Sequence, residues 1–397
     1  MTTADPIVIV GAARTPMGGF LGDFKDVGAP ALGARAISAA VERAGIKADS
    51  VDEIHMGCVL PAGQGQAPAR QAAIGAGLPL AAGATTINKM CGSGMKAAMV
   101  AHDLLRAGSA DVVVAGGMES MSNAPYLLDR ARSGYRMGHG RTIDHMFLDG
   151  LEDAYDKGRL MGTFAEDCAQ AYRFTRKEQD AYAVSSLERA KHAIKNGDFA
   201  WEIAPVSVKA GKTEALVATD EQPPKACPEK IPGLKPAFRD GGTVTAANSS
   251  SISDGAAALI LMRESEAEKR GAKPLARVVA HSTHAAAPKD FPTAPIGALK
   301  KLFEKTGWSR DSVDLFEINE AFAVVAMAAM RDLSLPQKKV NVNGGACALG
   351  HPIGASGARI LGSLMLELRR RGGGLGCAAI CSGGGQGDAV IIEVNGG

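Results

Sequence analysis

Aromatic side chains, long apolar runs and an excess of one charge are all missing from this 397-residue sequence. Aromatic residues make up 5% of it, so the core must consist largely of Ala, Val, Ile, Leu and Met. The longest apolar stretches, such as residues 321–330, are far shorter than the roughly 20 residues that span a bilayer. The formal net charge of +2 gives no basic surface of the kind that binds nucleic acid. We therefore expect neither a membrane nor a nucleic acid as a partner.

Cysteine is sparse, and its pattern argues against disulfides. The seven cysteines, an odd number without regular spacing, do not form a disulfide framework. They lack the paired spacing of a zinc site, and the histidines other than His351 are scattered and carry no predicted role, so no metal is expected. Neither the N-terminal MTTADPIVIV nor the C-terminal EVNGG reads as a targeting signal. We expect reduced thiols in a cytoplasmic protein.

The sequence does contain short apolar strands that alternate with Ala-rich helices at both ends. This alternation is typical of an α/β protein with helices on the faces of a sheet, and the length predicts two or three domains. Segments near the two ends also correspond in order: 52–57 with 314–319, 88–98 with 350–360, and 111–117 with 377–385. This order predicts a duplicated domain.

Residues 122–252 differ in composition and read as an insertion over the functional site. They include a charged loop, a proline-rich stretch over 205–236, and one clear helix. The helix is predicted to begin at Thr175, where Glu178 completes a capping box, and to end at Asn196-Gly197.

Cys91 is the first candidate for chemistry, in the turn NKMCGSG (88–94) that opens a helix. A helix N-terminus lowers the pKa of a thiol, and a thiolate is a nucleophile. A buried structural thiol is the alternative. The same turn fits the loose pattern of a dinucleotide-binding loop, with Gly92, Gly94 and Asp111. Asp111 begins its strand instead of ending it, so the sequence argues against NAD.

Three more residues occupy turns of the second half. His351 lies at the turn that matches that of Cys91, which is the arrangement needed to activate a thiol, although a histidine can simply cap a turn. Cys381 ends a strand before SGGGQG, whose free N–H groups suit an oxyanion hole, unless the thiol is merely buried. Asn319 lies at a strand-to-helix junction, where it is a helix cap or a side chain facing the site.

The blocks that carry these residues, NKMCGSGMKA, NEAFA, GHPIGASGAR and CSGGGQGDA, resemble the thiolase family, specifically enzymes of the acetyl-CoA acetyltransferase type. The likeness extends from IVGAARTPMGGF through GGMESMSNAPY, MGTFAEDCA, QDAYAVSSLERA and GTVTAANSSSISDGAAA. It implies two duplicated α/β domains, each with a mixed five-stranded sheet covered by helices: 1–121 plus 253–274, and 275–397. Residues 122–252 would form a loop domain that covers coenzyme A and contributes to a homotetramer or homodimer.

The resemblance also implies roles for the site residues. Cys91 would be the nucleophile that becomes acylated, His351 would take its proton, and Cys381 would be the acid and base at the α-carbon of the second substrate. Asn319 would hold a water that joins His351 in one oxyanion hole. The backbone N–H groups of Cys91 and Gly383 would form the other.

The implied reaction is the reversible, CoA-dependent cleavage of acetoacetyl-CoA, or the condensation of two acetyl-CoA molecules, through an acyl-cysteine. No cofactor is expected, because coenzyme A is substrate and product. Two departures from the family pattern concern the acyl pocket: Leu160 stands where many members carry His, and Phe291-Pro292 replaces Met-Gly, as in members that accept 2-methyl-branched substrates. The expected contacts of the substrate and of coenzyme A are Ser250, Met161, Phe291, Lys225 and Lys230.

Other functions remain open at this point. A thiolase for longer 3-ketoacyl-CoA chains would share every catalytic group. A decarboxylating ketoacyl synthase would use two histidines, or a His and an Asn, to handle a malonyl carboxylate, and Cys381 in CSGGG and the NEAF block argue against it. A non-catalytic acyl-CoA-binding relative would not need all four of Cys91, Asn319, His351 and Cys381. A disulfide switch between Cys91 and Cys381 would add regulation to any of these.

Overall fold

The computed structural model describes residues 5–396. The strands are β1 (Ile7–Arg14), β2 (Gly18–Gly19), β3 (Glu53–Gly57), β4 (Gly83–Ile87), β5 (Val112–Ser120), β6 (Tyr126–Leu127), β7 (Ile143–Asp144), β8 (Val206–Ala210), β9 (Thr213–Val217), β10 (Ser253–Arg263), β11 (Ala276–Ala285), β12 (Leu315–Ile318), β13 (Gly374–Ser382) and β14 (Gln386–Val394). The α-helices are α1 (Ala29–Ala44), α2 (Pro68–Gly75), α3 (Ser93–Ala107), α4 (Met161–Tyr172), α5 (Arg176–Asn196), α6 (Gln222–Lys225), α7 (Glu264–Arg270), α8 (Ala294–Thr306), α9 (Ala323–Leu333), α10 (Ala346–Leu349) and α11 (Ser356–Arg370). None of the helices within this range is long and apolar enough to cross a membrane.

The main sheet repeats one topology twice. In the first half the order is β4-β3-β5-β10-β1, and in the second half it is β12-β13-β14-β11. A single bridge between Phe316 of β12 and Val340 takes the position that β4 has in the first half. Both halves contain a parallel strand–helix–strand unit, β3–α3–β5 and β12–α11–β13. The predicted α/β duplication is therefore confirmed.

The two halves are joined edge to edge. Ile7, Val8 and Ile9 of β1 pair with Val278, Arg277 and Ala276 of β11, so that ten strands, counting β2, form one continuous sheet. The predicted five-stranded sheets are thus halves of one larger sheet. Within residues 5–396, the second half has four strands, and only the bridge at Val340 stands in the place of a fifth. The continuous sheet does not define the boundaries of the predicted domains, and these boundaries stay a prediction.

Three hydrophobic clusters lie between the sheet and the helices that cover its two faces. One cluster lies between α1, α2 and the first half of the sheet, and another lies between α8, α9 and the second half. The third surrounds α3 and α11 and contacts both halves. Strand β13 shows the alternation that makes this possible: Ala378 and Ile380 face the central layer, whereas Cys377, Ala379 and Cys381 face the outer one.

The segment 122–252 packs mainly on the second half. Helix α4 contacts α9, and α5 contacts α9 and α10. The capping box between Thr175 and Glu178 is present, and α5 ends at Gly197 with a φ of 75°, as the sequence predicts. A buried ion pair at 2.6 Å between Arg14 of β1 and Asp220 attaches the segment to the first half as well.

Candidate active site

The turn that carries Cys91 is held in an unusual backbone conformation by its own polar groups. Met90 has a φ of 49°, a conformation that costs a non-glycine residue free energy and is common at functional sites. The Ser93 hydroxyl donates to the Met90 carbonyl at 2.5 Å and accepts the Lys89 N–H at 2.8 Å. The nucleophile position is therefore rigid before any substrate binds.

Glycines let the second half of the chain approach this turn. A Cβ atom at Gly92 would lie 2.5 Å from the Ser382 hydroxyl oxygen, and one at Gly94 would lie 3.0 Å from the Gly354 carbonyl oxygen. Both distances are too short for a side chain. The strand end after Cys381 and the turn after His351 thus meet at the start of α3, as the matched turns predict.

The Cys91 thiol is protonated, contrary to the sequence prediction. Burial raises its pKa to about 11, although the backbone N–H groups of Gly383 and of Cys91 itself donate to the sulfur and act in the opposite direction. The prediction that the helix N-terminus favours a thiolate is wrong, because desolvation outweighs it. A base must remove this proton before the sulfur can attack.

His351, the base that the sequence predicts, is buried. Burial and the nearby Arg359 guanidinium lower the pKa of His351 to about 3, so the imidazole is neutral near pH 7. Its Nδ1 lies 2.6 Å from the Ser356 hydroxyl oxygen, and that hydroxyl donates to the Pro352 carbonyl at 2.9 Å. Ser356 must therefore accept the Nδ1 proton, which leaves the lone pair on Nε2.

Asn319 contacts the same nitrogen. Its Nδ2 lies 3.4 Å from His351 Nε2, and its backbone N–H donates to the Ala379 carbonyl at 2.9 Å. The Oδ1 atom is buried and has no hydrogen-bond partner among residues 5–396. Buried polar atoms nearly always have a partner, so this unpaired oxygen beside His351 is unusual. The alternative of a helix cap is not observed, because α9 begins four residues later.

Cys381 ends β13 as a fully buried second thiol. Burial raises its pKa well above the usual value, and the nearby Cys91 adds to the shift. The glycines that follow have the predicted freedom: Gly384 and Gly385 have φ values of 79° and 77°. Gly383 contacts two methionines, since a Cβ atom there would lie 3.5 Å from Met90 Cε and 3.9 Å from Met161 Sδ. Cys91, Cys381, Gly383 and Met161 are therefore brought together.

Glu119 is an important residue of this region to which the sequence analysis gives no role. Its buried carboxylate, near the end of β5, accepts backbone N–H groups from Val59 at 2.9 Å, Leu60 at 3.1 Å and Gly354 at 2.9 Å. Burial raises its pKa to about 7. The carboxylate attaches the turn after His351 to the first half. The only signal in the sequence is an acidic residue inside the otherwise uncharged GGMESM.

The predicted coenzyme A contacts lie in two places. Lys225 and Lys230 line a cavity of about 290 Å³ together with Ser251, and Lys225 also forms an ion pair with Glu221 at 2.6 Å. Ser250 precedes that lining residue, and its hydroxyl donates to the Ala321 carbonyl at 2.9 Å, beside the Asn319 junction. The lining of the cavity also includes Cys347, four residues before His351.

Phe291 belongs to an aromatic cluster behind the site. It is 3% exposed, and its ring lies edge-on to Phe164 and Phe322 at centroid distances of 6.2 and 6.3 Å. Phe322 follows the Asn319 junction by three residues, and Phe164 lies one turn after Met161. The ring is therefore part of a wall and not a freely exposed contact.

These groups suit acyl transfer to sulfur. A thiol nucleophile, a neutral imidazole with a free lone pair and backbone N–H donors at the sulfur are the parts that such a reaction requires. The family models for the N-terminal and C-terminal domains of thiolase match residues 7–265 and 272–394. The chain belongs to the thiolase family.

Relatives of this thiolase cover nearly its whole length. An acetyl-CoA acetyltransferase from Syntrophomonas wolfei is 48% identical over 98% of both chains, and acetyl-CoA acetyltransferase 2 from Arabidopsis thaliana is 49% identical over 98% of this chain and 97% of its own. Among solved structures, the acetyl-CoA acetyltransferase of Bacillus anthracis has a TM-score of 0.96 at 42% identity, covering 99% of this chain and 100% of its own. Acat5 thiolase from Ascaris suum, in complex with coenzyme A, has a TM-score of 0.93 at 40% identity and covers 98% and 100%.

Proposed function

We propose that this thiolase is an acetyl-CoA C-acetyltransferase, which cleaves acetoacetyl-CoA with coenzyme A or condenses two acetyl-CoA molecules. The observation that carries the proposal is the pair of thiols around one donor: the Gly383 N–H donates to the sulfur of Cys91, and Cys381 lies close enough to influence it. A nucleophile and a second acid and base are what carbon–carbon cleavage at a thioester needs. The near-full-length relatives named acetyl-CoA acetyltransferases support the same substrate.

In the cleavage direction, His351 Nε2 takes the proton of Cys91, and the sulfur attacks the 3-keto carbon of acetoacetyl-CoA. The bond between carbons 2 and 3 then breaks, its electron pair stays on carbon 2, and Cys381 donates a proton there. Acetyl-CoA leaves, and Cys91 carries the acetyl group. Coenzyme A next gives its thiol proton to the Cys381 thiolate and attacks the acetyl carbonyl, and the sulfur of Cys91 leaves with the proton held by His351, which releases a second acetyl-CoA and restores both thiols.

Negative charge develops on a carbonyl oxygen in both half-reactions, so two sets of donors are useful. The N–H groups of Cys91 and Gly383 are our proposed donors for the acetyl-cysteine. Asn319, through a water, and His351 are our proposed donors for the second substrate. Loss of one such donor typically raises a barrier by about 3 kcal/mol.

Coenzyme A is the only large ligand that the proposal requires, and no further cofactor takes part. Lys225 and Lys230 place positive charge in the cavity of about 290 Å³, where we propose that the phosphate groups of coenzyme A bind. Ser250 and Met161 are our further proposed contacts of the substrate and coenzyme A, and Met161 is near Gly383. Phe291 is our proposed wall of the acyl pocket at the position where a 2-methyl branch would lie. We further propose a cytoplasmic homotetramer or homodimer, in which 122–252 covers coenzyme A.

The test compares the CoA-dependent cleavage of acetoacetyl-CoA, 2-methylacetoacetyl-CoA and a longer 3-ketoacyl-CoA by the purified enzyme and by Cys91→Ser. We expect fast cleavage of the first, with or without the second, and almost none by the variant at an unchanged melting temperature. Preference for the longest substrate would identify the enzyme as a thiolase for longer 3-ketoacyl-CoA chains. Absence of cleavage, or substantial activity of Cys91→Ser, would overturn the proposal.

A further inference from the structure

Three side chains of metal-binding type meet where helix α3 of the first half packs against strand β11 of the second half. His102 and Asp103 are neighbours on α3, and His281 belongs to β11. One oxygen of Asp103, Oδ1, lies 3.0 Å from His102 Nδ1 and 2.9 Å from His281 Nε2. The two rings are edge-to-face with centroids 5.0 Å apart. The sequence gives no spacing signal for this group, since Asp103 and His281 are 178 residues apart.

We infer that His102, Asp103 and His281 form a binding site for one divalent transition-metal ion of the zinc class. One ligand atom from each residue lies within 4.8 Å of the other two. A tetrahedral zinc ion holds nitrogen and oxygen ligands at about 2.0–2.2 Å, so small side-chain rotations bring all three into range. Two imidazoles and a carboxylate, with water as the fourth ligand, are a set that zinc, nickel and cobalt accept.

The two imidazole rings are held by packing, and the carboxylate between them is open to solvent, from which an ion can enter. The side chains of His102 and His281 are 14% and 13% exposed, whereas that of Asp103 is 61% exposed. Packing therefore fixes the rings with one nitrogen each towards the carboxylate, and the carboxylate faces solvent. On binding, the proton on each facing nitrogen moves to the other ring nitrogen, and its lone pair coordinates the ion.

The charged side chains around His102, Asp103 and His281 nearly cancel one another, so they do not repel a cation. The three residues line an open cavity of about 1070 Å³. Its other charged side chains comprise three acidic and three basic ones: Asp5, Glu264, Glu268, Arg106, Arg277 and Lys305. The carboxylate of Asp103 adds one further negative charge at the centre of the ligand set.

An alternative without metal is that Asp103 only bridges the two imidazoles as a hydrogen-bonded link between the halves. The two possibilities differ in a measurable way, because only the first gives saturable metal binding that depends on all three residues. His102 lies nine residues after the start of α3, or roughly 14 Å along the helix axis. We therefore expect the ion to stabilise the packing of α3 on β11 without entering the reaction.

The experiment titrates the full-length enzyme with Zn²⁺ and Co²⁺ by calorimetry and follows the melting temperature. The variants are His281→Gln, His102→Gln and Asp103→Asn, and the matched control is His192→Gln, which removes an exposed histidine that contacts Asn196. We expect one micromolar site per chain in the wild type and in the control, and at least 100-fold weaker binding in the other three. The melting temperature should rise with metal only where the site is intact.

Cobalt distinguishes this site from the catalytic thiols. Binding at His102, Asp103 and His281 gives visible d–d absorption without the near-ultraviolet charge-transfer band of a cobalt–thiolate bond. Equal affinity in the wild type and His281→Gln, a thiolate band at the first equivalent, or no saturation below millimolar metal would each overturn the inference. If His281→Gln does not fold, Asp103→Asn, whose side chain is exposed, decides the outcome.

Discussion

The reactivity of Cys91 depends more on burial than on its helix. A charge at a helix terminus is typically worth about 0.3–1 kcal/mol. The pKa change of the thiol from 9.0 to about 11 corresponds to about 3 kcal/mol in the opposite direction. Desolvation therefore dominates, and the mechanism that we propose needs a base to take the proton of Cys91 before the sulfur attacks.

Alkylation should reveal this pKa directly. We expect the rate at which iodoacetamide modifies Cys91 to rise about tenfold per pH unit from pH 7 towards pH 10, because the thiolate fraction still increases there. An ordinary thiol reaches its plateau near pH 9. The rate is measured by mass spectrometry of the peptide that contains Cys91, and Cys91→Ser identifies labelling at other cysteines. A plateau below pH 8.5 would contradict the high pKa.

Ser356 is the residue that fixes the working nitrogen of His351. Its hydroxyl accepts the Nδ1 proton, so Ser356→Ala leaves that proton without its acceptor and allows the ring to rotate or to change tautomer. We expect kcat to fall about 10- to 100-fold, as for other groups that orient a catalytic histidine, with little change in KM. Ser363→Ala, which removes a hydroxyl without a partner in residues 5–396 from the same helix, is the control. Equal kcat in both variants would rule out a positioning role.

At the scale of elements, the contact between α3 and α11 controls how closely the two catalytic turns approach. A Cβ atom at Gly357 would overlap the backbone nitrogen of Met95, whereas one at Gly362 would lie 3.6 Å from Leu259 Cδ2, an ordinary contact. Both glycines belong to α11, so the helix offers a crowded position and a roomy one. Only the first lies where the helices cross.

Gly357→Ala should therefore lower the free energy of unfolding, whereas Gly362→Ala should raise it. Alanine favours a helix over glycine by about 1 kcal/mol, which Gly362→Ala can gain. Gly357→Ala must separate α3 from α11 and is expected to lose about 1–3 kcal/mol or more in spite of the same propensity, together with most of kcat. Urea unfolding and cleavage of acetoacetyl-CoA measure the two effects. Similar stabilities of the two variants would show that this crossing is not close-packed.

The sequence predicts elements well where local rules decide. The capping box of α5 and the individual strands and helices follow from patterns within about 20 residues, and the matched turns follow from the common order of similar segments in the two halves. It does not predict that Ile7–Ile9 pair with Ala276–Val278, because a strand edge has no local signal for its partner. The thiol pKa was missed for a related reason: Cys91 packs against residues that are distant in the sequence, such as Leu60 and Ile353.

At the scale of the whole molecule, a buried ion pair connects the nucleophile turn to the second half. Lys89 Nζ lies 2.5 Å from Asp388 Oδ1 of β14, and the Thr283 hydroxyl donates to the same oxygen at 2.6 Å. The side chain of Asp388 is fully buried. The residue before Met90 is thus held by a charge from the other end of the chain.

Removing one partner of such a pair leaves a buried charge alone. We expect Asp388→Asn to lower the free energy of unfolding by about 3–5 kcal/mol and to reduce kcat, since the turn of Cys91 loses its attachment. Asp290→Asn, which breaks an exposed pair with Lys289, should change stability by less than about 1 kcal/mol. Urea unfolding compares the two. A double variant with Lys89→Met should recover part of the loss, and no recovery would mean that the ion pair is not its source.

The position of β10 has a consequence for synthesis on the ribosome. This strand lies between β1 and β5 in the first half of the sheet, yet it begins only at Ser253. A chain that has emerged as far as residue 252 has therefore released every strand of that half except the one that joins β1 to β5. At about 5–20 residues per second, the interval after β5 lasts on the order of ten seconds. Over that time two strand edges stay open to aggregation, so the native yield in cell-free translation should depend on chaperones that protect nascent strands.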